Sequence, residues 1–105
     1  MNAGDAEVRE RKIKAIQEAV ASRFGISVED LRQESRQRVV AVPRQVAMYL
    51  TKQMTDASLS EIGQHFGGRH HTTVTHSIAK VHVERHSDAA LDRIVSKLLT
   101  SLTCR

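Results

Sequence analysis

The sequence of 105 residues contains few aromatic residues, one cysteine and one proline. Such scarcities limit the folds and the covalent cross-links that the chain can form. Aromatic residues make up 3% of the chain, which argues against sandwiches and barrels built from aromatic and β-branched strands. The lone cysteine, Cys104, excludes an internal disulfide framework and fits a reducing cytosol. No apolar run approaches the about 20 residues of a membrane-spanning helix, and the first residues do not resemble a secretory signal. The length predicts one domain, residues 1–105.

Positive charge is concentrated in one segment of the chain. The formal net charge is +4, and residues 32–55 alone carry five basic side chains against one acidic side chain. A local basic patch in an otherwise near-neutral domain indicates a docking face for an anion such as nucleic acid, although a solvated basic loop is the alternative. The charged residues of this segment are Arg32, Arg36, Arg38, Arg44 and Lys52, with Glu34 opposing them.

The spacing of apolar residues predicts an all-α fold, a helical bundle of about six helices. A first helix runs from about residue 5 to Phe24 and stops at Gly25, and residues 32–42 form a basic loop. Pro43 suits the first turn of the helix that follows the loop. The other predicted helices are a short one opened by Ser27, one opened by Ser58, one that begins near His70, and a last one capped by Ser87.

Two apolar stripes predict how the first and last helices pack. The first stripe consists of Val8, Ile13, Ile16, Val20 and Phe24, and the last consists of Leu91, Ile94, Val95, Leu98 and Leu102. We expect the last helix to pack on the first, which leaves no stripe for a dimer and predicts a monomer.

Residues 58–85 show the pattern of a helix-turn-helix: a short capped helix, the turn Gly67-Gly68 and a second helix. In such units the first helix crosses the DNA backbone, and the N-terminal residues of the second contact base edges in the major groove. Those residues are rich in hydrogen-bonding groups. A plain helical bundle, in which the threonines only cap the helix, is the alternative. The candidate readers are Arg69, His70, His71, Thr72 and Thr73.

The run LSEIGQHFGGRHHTTVTH, residues 59–76, resembles the signature of the C-terminal DNA-binding domain of the bacterial replication initiator DnaA. VPRQVAMYL, residues 42–50, and FGISVEDL, residues 24–31, are similar to other parts of that domain. The resemblance covers roughly residues 10–100 and implies binding of double-stranded DNA at DnaA-box-like sites, as in origin recognition. It also implies a cytoplasmic protein of the bacterial nucleoid.

The resemblance assigns each candidate residue a kind of contact. It implies that Arg36 enters the minor groove with Arg38 beside it, and that His71, Thr72 and Thr73 read the major groove. Contacts to phosphates and backbone supply affinity and register, while base contacts supply sequence choice. The residues that resemble the backbone contacts of the family are Arg44, Gln45, Lys52, Thr55, Leu59 and Ser60.

Two residues depart from the family pattern. Val42 replaces an arginine, and His70 stands where the family usually has an acidic residue. An imidazole can donate a hydrogen bond where a carboxylate can only accept one, so we expect His70 to favour an acceptor-rich base such as guanine. A protonated ring would sharpen that preference at lower pH. The alternative is that His70 points to phosphate or solvent.

Other classes of function have less support in the sequence. The chain has no Gly-x-x-x-x-Gly-Lys-Ser/Thr loop, so ATP-driven origin melting is not expected from these residues. No catalytic grouping stands out, and the six histidines have neither a cysteine partner nor an H-E-x-x-H arrangement, so we expect no enzyme, metal or cofactor. A stand-alone regulator of transcription or the nucleoid with a shifted target, and a protein-interaction module built on the last helix, remain alternatives.

Overall fold

A computed structural model describes residues 3–33 and 37–103 of the chain, and within these ranges it consists of six α-helices and no strands. The predicted all-α bundle is confirmed. Cys104 lies outside the described residues. None of the described helices is both long enough and apolar enough to cross a membrane. The helices are α1 (Ala3–Phe24), α2 (Val28–Arg32), α3 (Arg38–Met54), α4 (Leu59–His65), α5 (His71–Glu84) and α6 (Ala89–Thr103).

One apolar core joins all six helices, with α3 at its centre. α3 packs against α1, α2, α4, α5 and α6, so it is the element that fixes the positions of the others. Burying each large apolar side chain contributes about 1.5–3 kcal/mol. The core side chains with no exposed surface include Ile13, Val20, Leu31, Val46, Leu50, Ile62, Phe66, Val74 and Val95.

The last helix packs as its stripe predicts. Leu91, Val95 and Leu98 are buried, and α6 contacts α1 and α3. The prediction that α6 covers α1 is therefore confirmed. Val8 is an exception in the first stripe, because 45% of it is exposed. It lines a groove together with residues of α3 and α6, among them Met54 and Leu102.

Side-chain caps explain where three of the helices begin. Ser27 and Asp30 form the predicted capping box of α2, and Ser58 accepts a hydrogen bond from the backbone N–H of Glu61 at the start of α4. The prediction that Ser87 caps α6 is wrong. Asp88 accepts from the backbone N–H of Leu91 (3.0 Å), while the N–H of Ser87 still bonds the preceding turn.

The predicted loop over residues 32–42 is shorter in the structure, because α3 begins at Arg38 and not at Pro43. The carbonyl of Gln37 accepts from the backbone N–H of Ala41 (2.8 Å), which starts the helix more than a turn earlier. Pro43 lies inside the helix, where it lacks the N–H that would bond to the preceding turn. Its side chain is buried, and we attribute the tolerance of this missing bond to that packing.

Candidate nucleic-acid interface

α4, a tight turn and α5 form a helix-turn-helix that packs on α3. The carbonyl of Gly63 in the last turn of α4 accepts from the backbone N–H groups of Phe66 (3.2 Å), Gly68 (3.0 Å) and Arg69 (2.9 Å). Three donors on one oxygen hold the turn tightly. A Cβ atom on Gly63 would lie 2.0 Å from the carbonyl oxygen of Arg69, so only glycine lets the two backbones approach this closely.

Three polar side chains project from the first turn of α5. His71, Thr72 and Thr73 are all exposed, whereas the next residue, Val74, has no exposed surface. The buried valine anchors the turn to the core and the three side chains before it face solvent. The first backbone N–H groups of a helix also carry a partial positive charge that attracts phosphate. This turn can therefore meet base edges and the DNA backbone together.

His70 caps α5. Its Nδ1 accepts a hydrogen bond from the backbone N–H of Thr72 (3.2 Å), and it also contacts the hydroxyl of Thr72. The centroids of the His70 and His71 rings lie 4.1 Å apart, and the ring planes are tilted by 34°. His70 is thus tied to two of the three exposed side chains that follow it.

The opposite end of α5 is fixed by Arg85. Its guanidinium donates hydrogen bonds to Asp92 (2.8 Å), the Tyr49 hydroxyl (2.9 Å) and Ser96 (3.2 Å). Burial lowers the pKa of Arg85, but the hydrogen bonds to Asp92 and Tyr49 outweigh it and raise the pKa overall. These bonds join the C-terminal end of α5 to α3 and α6, so the exposed N-terminal turn belongs to a helix that is anchored at its other end.

Arg44 and Arg69 meet at one backbone carbonyl. The oxygen of Gln33 accepts from Arg44 Nη1 (3.2 Å) and from Arg69 Nη2 (2.6 Å), which joins α3 and the turn before α5 to the end of α2. Arg44 is 8% exposed, and the Nε atom of Arg69 is buried without a partner among the described residues. Burial, together with the neighbouring Arg69 cation, lowers the pKa of Arg44.

The candidate backbone contacts lie around the end of α3 and the start of α4. Lys52 and Ser60 are exposed, and Lys52, Leu59 and Thr75 line one shallow depression. Lys52 also donates to the carbonyl of Ala57 (3.4 Å). The structure thus brings an α3 cation and the first residue of α4 beside the outer face of α5.

Two further candidates are partly buried. The hydroxyl of Thr55 donates to the Thr51 carbonyl (2.8 Å) and accepts from the N–H of Ala57 (3.2 Å), so it closes α3, and Gln45 is half-buried on α3. Arg36 lies outside the described residues. Arg38 begins α3, but its side chain also lies outside them.

Gly63 and Gln33 support this surface, and neither was among the predicted site residues. A glycine between Ile62 and Phe66, inside a helical pattern, is a signal that a packing reason exists. Gln33 carries no such signal, because it acts through its backbone carbonyl, which every residue type possesses.

Among the residues within the described ranges, no three His, Cys, Asp or Glu side chains are grouped to hold a metal ion.

The fold and the exposed first turn of α5 together define this chain as a helix-turn-helix protein. The sequence matches the family described as the bacterial DnaA protein helix-turn-helix over residues 13–81. It is 47% identical over 87 residues to the chromosomal replication initiator protein DnaA of Lactobacillus delbrueckii subsp. bulgaricus. The matched residues make up 83% of this chain and 19% of that relative. The chain belongs to the DnaA helix-turn-helix family and spans about a fifth of the length of that relative.

Proposed function

We propose that the chain binds double-stranded DNA sequence-specifically, at DnaA-box-like sites, with α5 in the major groove. The observation that carries this proposal is the exposed turn His71-Thr72-Thr73, which precedes the buried Val74 on the second helix of a helix-turn-helix. Hydroxyl, methyl and imidazole groups at that position match the groups that base edges present. Membership of the DnaA helix-turn-helix family supports the same conclusion.

The backbone contacts are proposed from position and charge. Lys52 and Ser60 are exposed beside α5, and the excess of positive charge lies in residues 32–55. We assign Lys52, Thr55, Leu59, Ser60 and Gln45 to the DNA backbone. Arg36 and Arg38 are assigned to the minor groove on the family resemblance alone.

The relative is named a chromosomal replication initiator, and we propose that this chain recognises sites of a replication origin. It acts as a monomeric, non-catalytic DNA-binding domain in the cytoplasm, at the nucleoid. A regulator with a shifted target is a second candidate, favoured by His70 in place of the acidic residue of the family. The two differ in the sequence that is bound, and not in the DNA-binding surface.

Binding to a DnaA-box duplex and to a scrambled duplex of equal length, over a range of salt concentrations, tests the proposal. A sequence-specific protein prefers one duplex at every salt concentration. Its affinity for both duplexes falls as the salt concentration rises, because the protein contacts phosphates. Lys97→Ala is a control, since it removes a cation from the exposed face of α6. Affinity that is equal for box, scrambled and randomly selected sequences would contradict sequence-specific binding.

A further inference from the structure

Two long side chains of α1 reach α4, one at each of its ends. Arg9 Nε donates hydrogen bonds to both carboxylate oxygens of Glu61 (3.0 and 2.8 Å), which lies in the first turn of α4. Gln17 Nε2 donates to the backbone carbonyl of His65 (2.8 Å), the last residue of α4. In a helix-turn-helix this first helix crosses the DNA backbone, so α1 contacts the crossing helix at both of its ends.

The apolar core holds α4 in place without the Arg9–Glu61 ion pair. Ile62 and Phe66 have no exposed surface, and α4 packs against α3 and α5. The ion pair lies nearer the surface, since the Arg9 and Glu61 side chains are 13% and 26% exposed. Ion pairs that solvent can reach contribute little to stability. The main effect of this pair is therefore on the charge of the surface, and not on the stability of the fold.

The start of α4 is acidic, although residues beside it are assigned to the DNA backbone. Within residues 53–64 the only charged side chains are those of Asp56 and Glu61, and both are negative. Arg9 neutralises them, because its Nη1 lies 3.6 Å from Asp56 Oδ1 and its Nε lies 2.8 Å from Glu61 Oε2. A phosphate at Ser60 would otherwise meet uncompensated carboxylates, and like charges repel over a Debye length of about 8–10 Å at moderate salt.

We propose that Arg9 is a positioning residue for DNA binding: it holds and neutralises the Glu61 carboxylate, so that the start of α4 can approach a phosphate. This role rests on the proposed function, because the surface concerned is the one assigned to DNA. Arg9 precedes residues 13–81, which match the DnaA helix-turn-helix family, so the family match does not supply the role. α1 thus contributes to DNA binding through Glu61, and not through a contact of its own with DNA.

Binding to the DnaA-box duplex and to the scrambled duplex, measured at low and at high salt, tests this role. Arg9→Gln should weaken binding to both duplexes roughly two- to fourfold at low salt, as expected for one unit charge about 5–10 Å from a phosphate in water. The loss should shrink as the salt concentration rises, because salt screens the carboxylate from the phosphate. Arg9→Lys keeps the positive charge and should bind both duplexes nearly as the parent does.

Lys14→Gln is the matched control for the loss of one positive charge from α1. Lys14 is exposed and has no ion-pair partner among the residues that the structure describes. Its substitution should therefore cost less affinity than Arg9→Gln, although both variants lose the same net charge. Each variant should keep the helical circular dichroism signal of the parent, because the core that holds α4 is unchanged.

Removal of the carboxylate distinguishes neutralisation from a structural role. Glu61→Gln alone should not weaken DNA binding, because it removes a negative charge beside the assigned backbone contacts. Added to Arg9→Gln, it should restore the affinity of the parent within about twofold, since the charge that Arg9 neutralises is gone. A structural role would give a loss that the second substitution leaves in place. The measurements are made at about pH 8, where histidine is mostly neutral, because His65 Nε2 lies 4.0 Å from Glu61 Oε2.

The outcomes separate this role from the proposed function. An Arg9→Gln variant that binds both duplexes as tightly as the parent would overturn the role of Arg9 and leave sequence-specific binding intact. So would a loss that persists at high salt, or one that Glu61→Gln does not reverse. A parent that binds neither duplex would mean that the proposed function has failed, and the role of Arg9 with it. A parent that binds both duplexes equally would contradict sequence specificity alone, and the same comparison of variants would then decide the role of Arg9.

Discussion

The turn of the helix-turn-helix touches the end of α2 through Gly67, and an alanine there should destabilise the fold strongly. Gly67 has a φ of +89°, and a Cβ atom on it would lie 2.0 Å from the carbonyl oxygen of Arg32. Gly68 provides a matched control, because its φ is +79° but a Cβ atom there would meet nothing within 4 Å. The two substitutions share the backbone strain, and only Gly67→Ala adds a collision.

The expected magnitudes follow from these two contributions. A left-handed backbone costs an L-residue about 1–2 kcal/mol, which is the whole expected effect of Gly68→Ala. Overpacking typically costs about 1–3 kcal/mol, so Gly67→Ala should lose roughly 2–5 kcal/mol in total. Because domains of this kind are stable by about 5–15 kcal/mol, the Gly67 variant should still fold but unfold much more easily.

Urea unfolding followed by the helical circular dichroism signal measures both free energies. Gly67→Ala should unfold at a clearly lower urea concentration than Gly68→Ala, with a similar slope if the unfolded states expose similar surface. Equal destabilisation by the two substitutions would refute the claim that the Gly67–Arg32 contact constrains the turn. An unchanged stability for both would also refute the strain argument.

Four other substitutions test the surface and its supports. Ser58→Ala should cost about 1 kcal/mol of unfolding free energy through loss of the α4 cap, measured by the same urea titration; no loss would mean that the cap is dispensable. Lys52→Ala should weaken box and scrambled duplexes alike and reduce the salt slope by about one unit, whereas a box-specific loss would contradict a phosphate contact. His71→Ala and Thr73→Ala should each cost roughly 1–3 kcal/mol on the preferred box and less on random DNA, measured by competition binding; equal losses on both duplexes would contradict base readout.

The helices were predictable where their signals are local. The capping box at Ser27 and the apolar stripe of α6 depend on residues within a few turns of each other, and both predictions are confirmed. The start of α3 was not predictable in the same way, because a proline normally marks the first turn, and Pro43 is instead buried within the helix. Tertiary packing there outweighs a local preference.

In the candidate site, too, the features with local signals were predictable and those that depend on tertiary packing were not. The exposed start of α5 could be located from the glycine turn and the polar run after it. The role of the Gln33 carbonyl could not, because Arg44 and Arg69 lie 11 and 36 residues from it along the chain. Nothing in the residue types of that segment indicates that two guanidinium groups will converge on one backbone oxygen. The sequence therefore predicts which side chains are available, while the fold decides which of them face outward.

Arg44 illustrates a difference between two kinds of prediction. A count of charged residues predicts the electrostatic field of a surface more securely than it predicts which residues contact DNA. The excess of positive charge in residues 32–55 includes Arg44, and the resemblance to the DnaA family implies that Arg44 contacts the DNA backbone. In the structure its guanidinium is 8% exposed and donates to Gln33. It nevertheless keeps its charge, since arginine remains protonated, and a charge acts over a Debye length of about 8–10 Å at moderate salt. A buried cation can therefore still attract a phosphate while serving mainly to join α2 to α3, so the electrostatic prediction does not depend on whether Arg44 touches DNA.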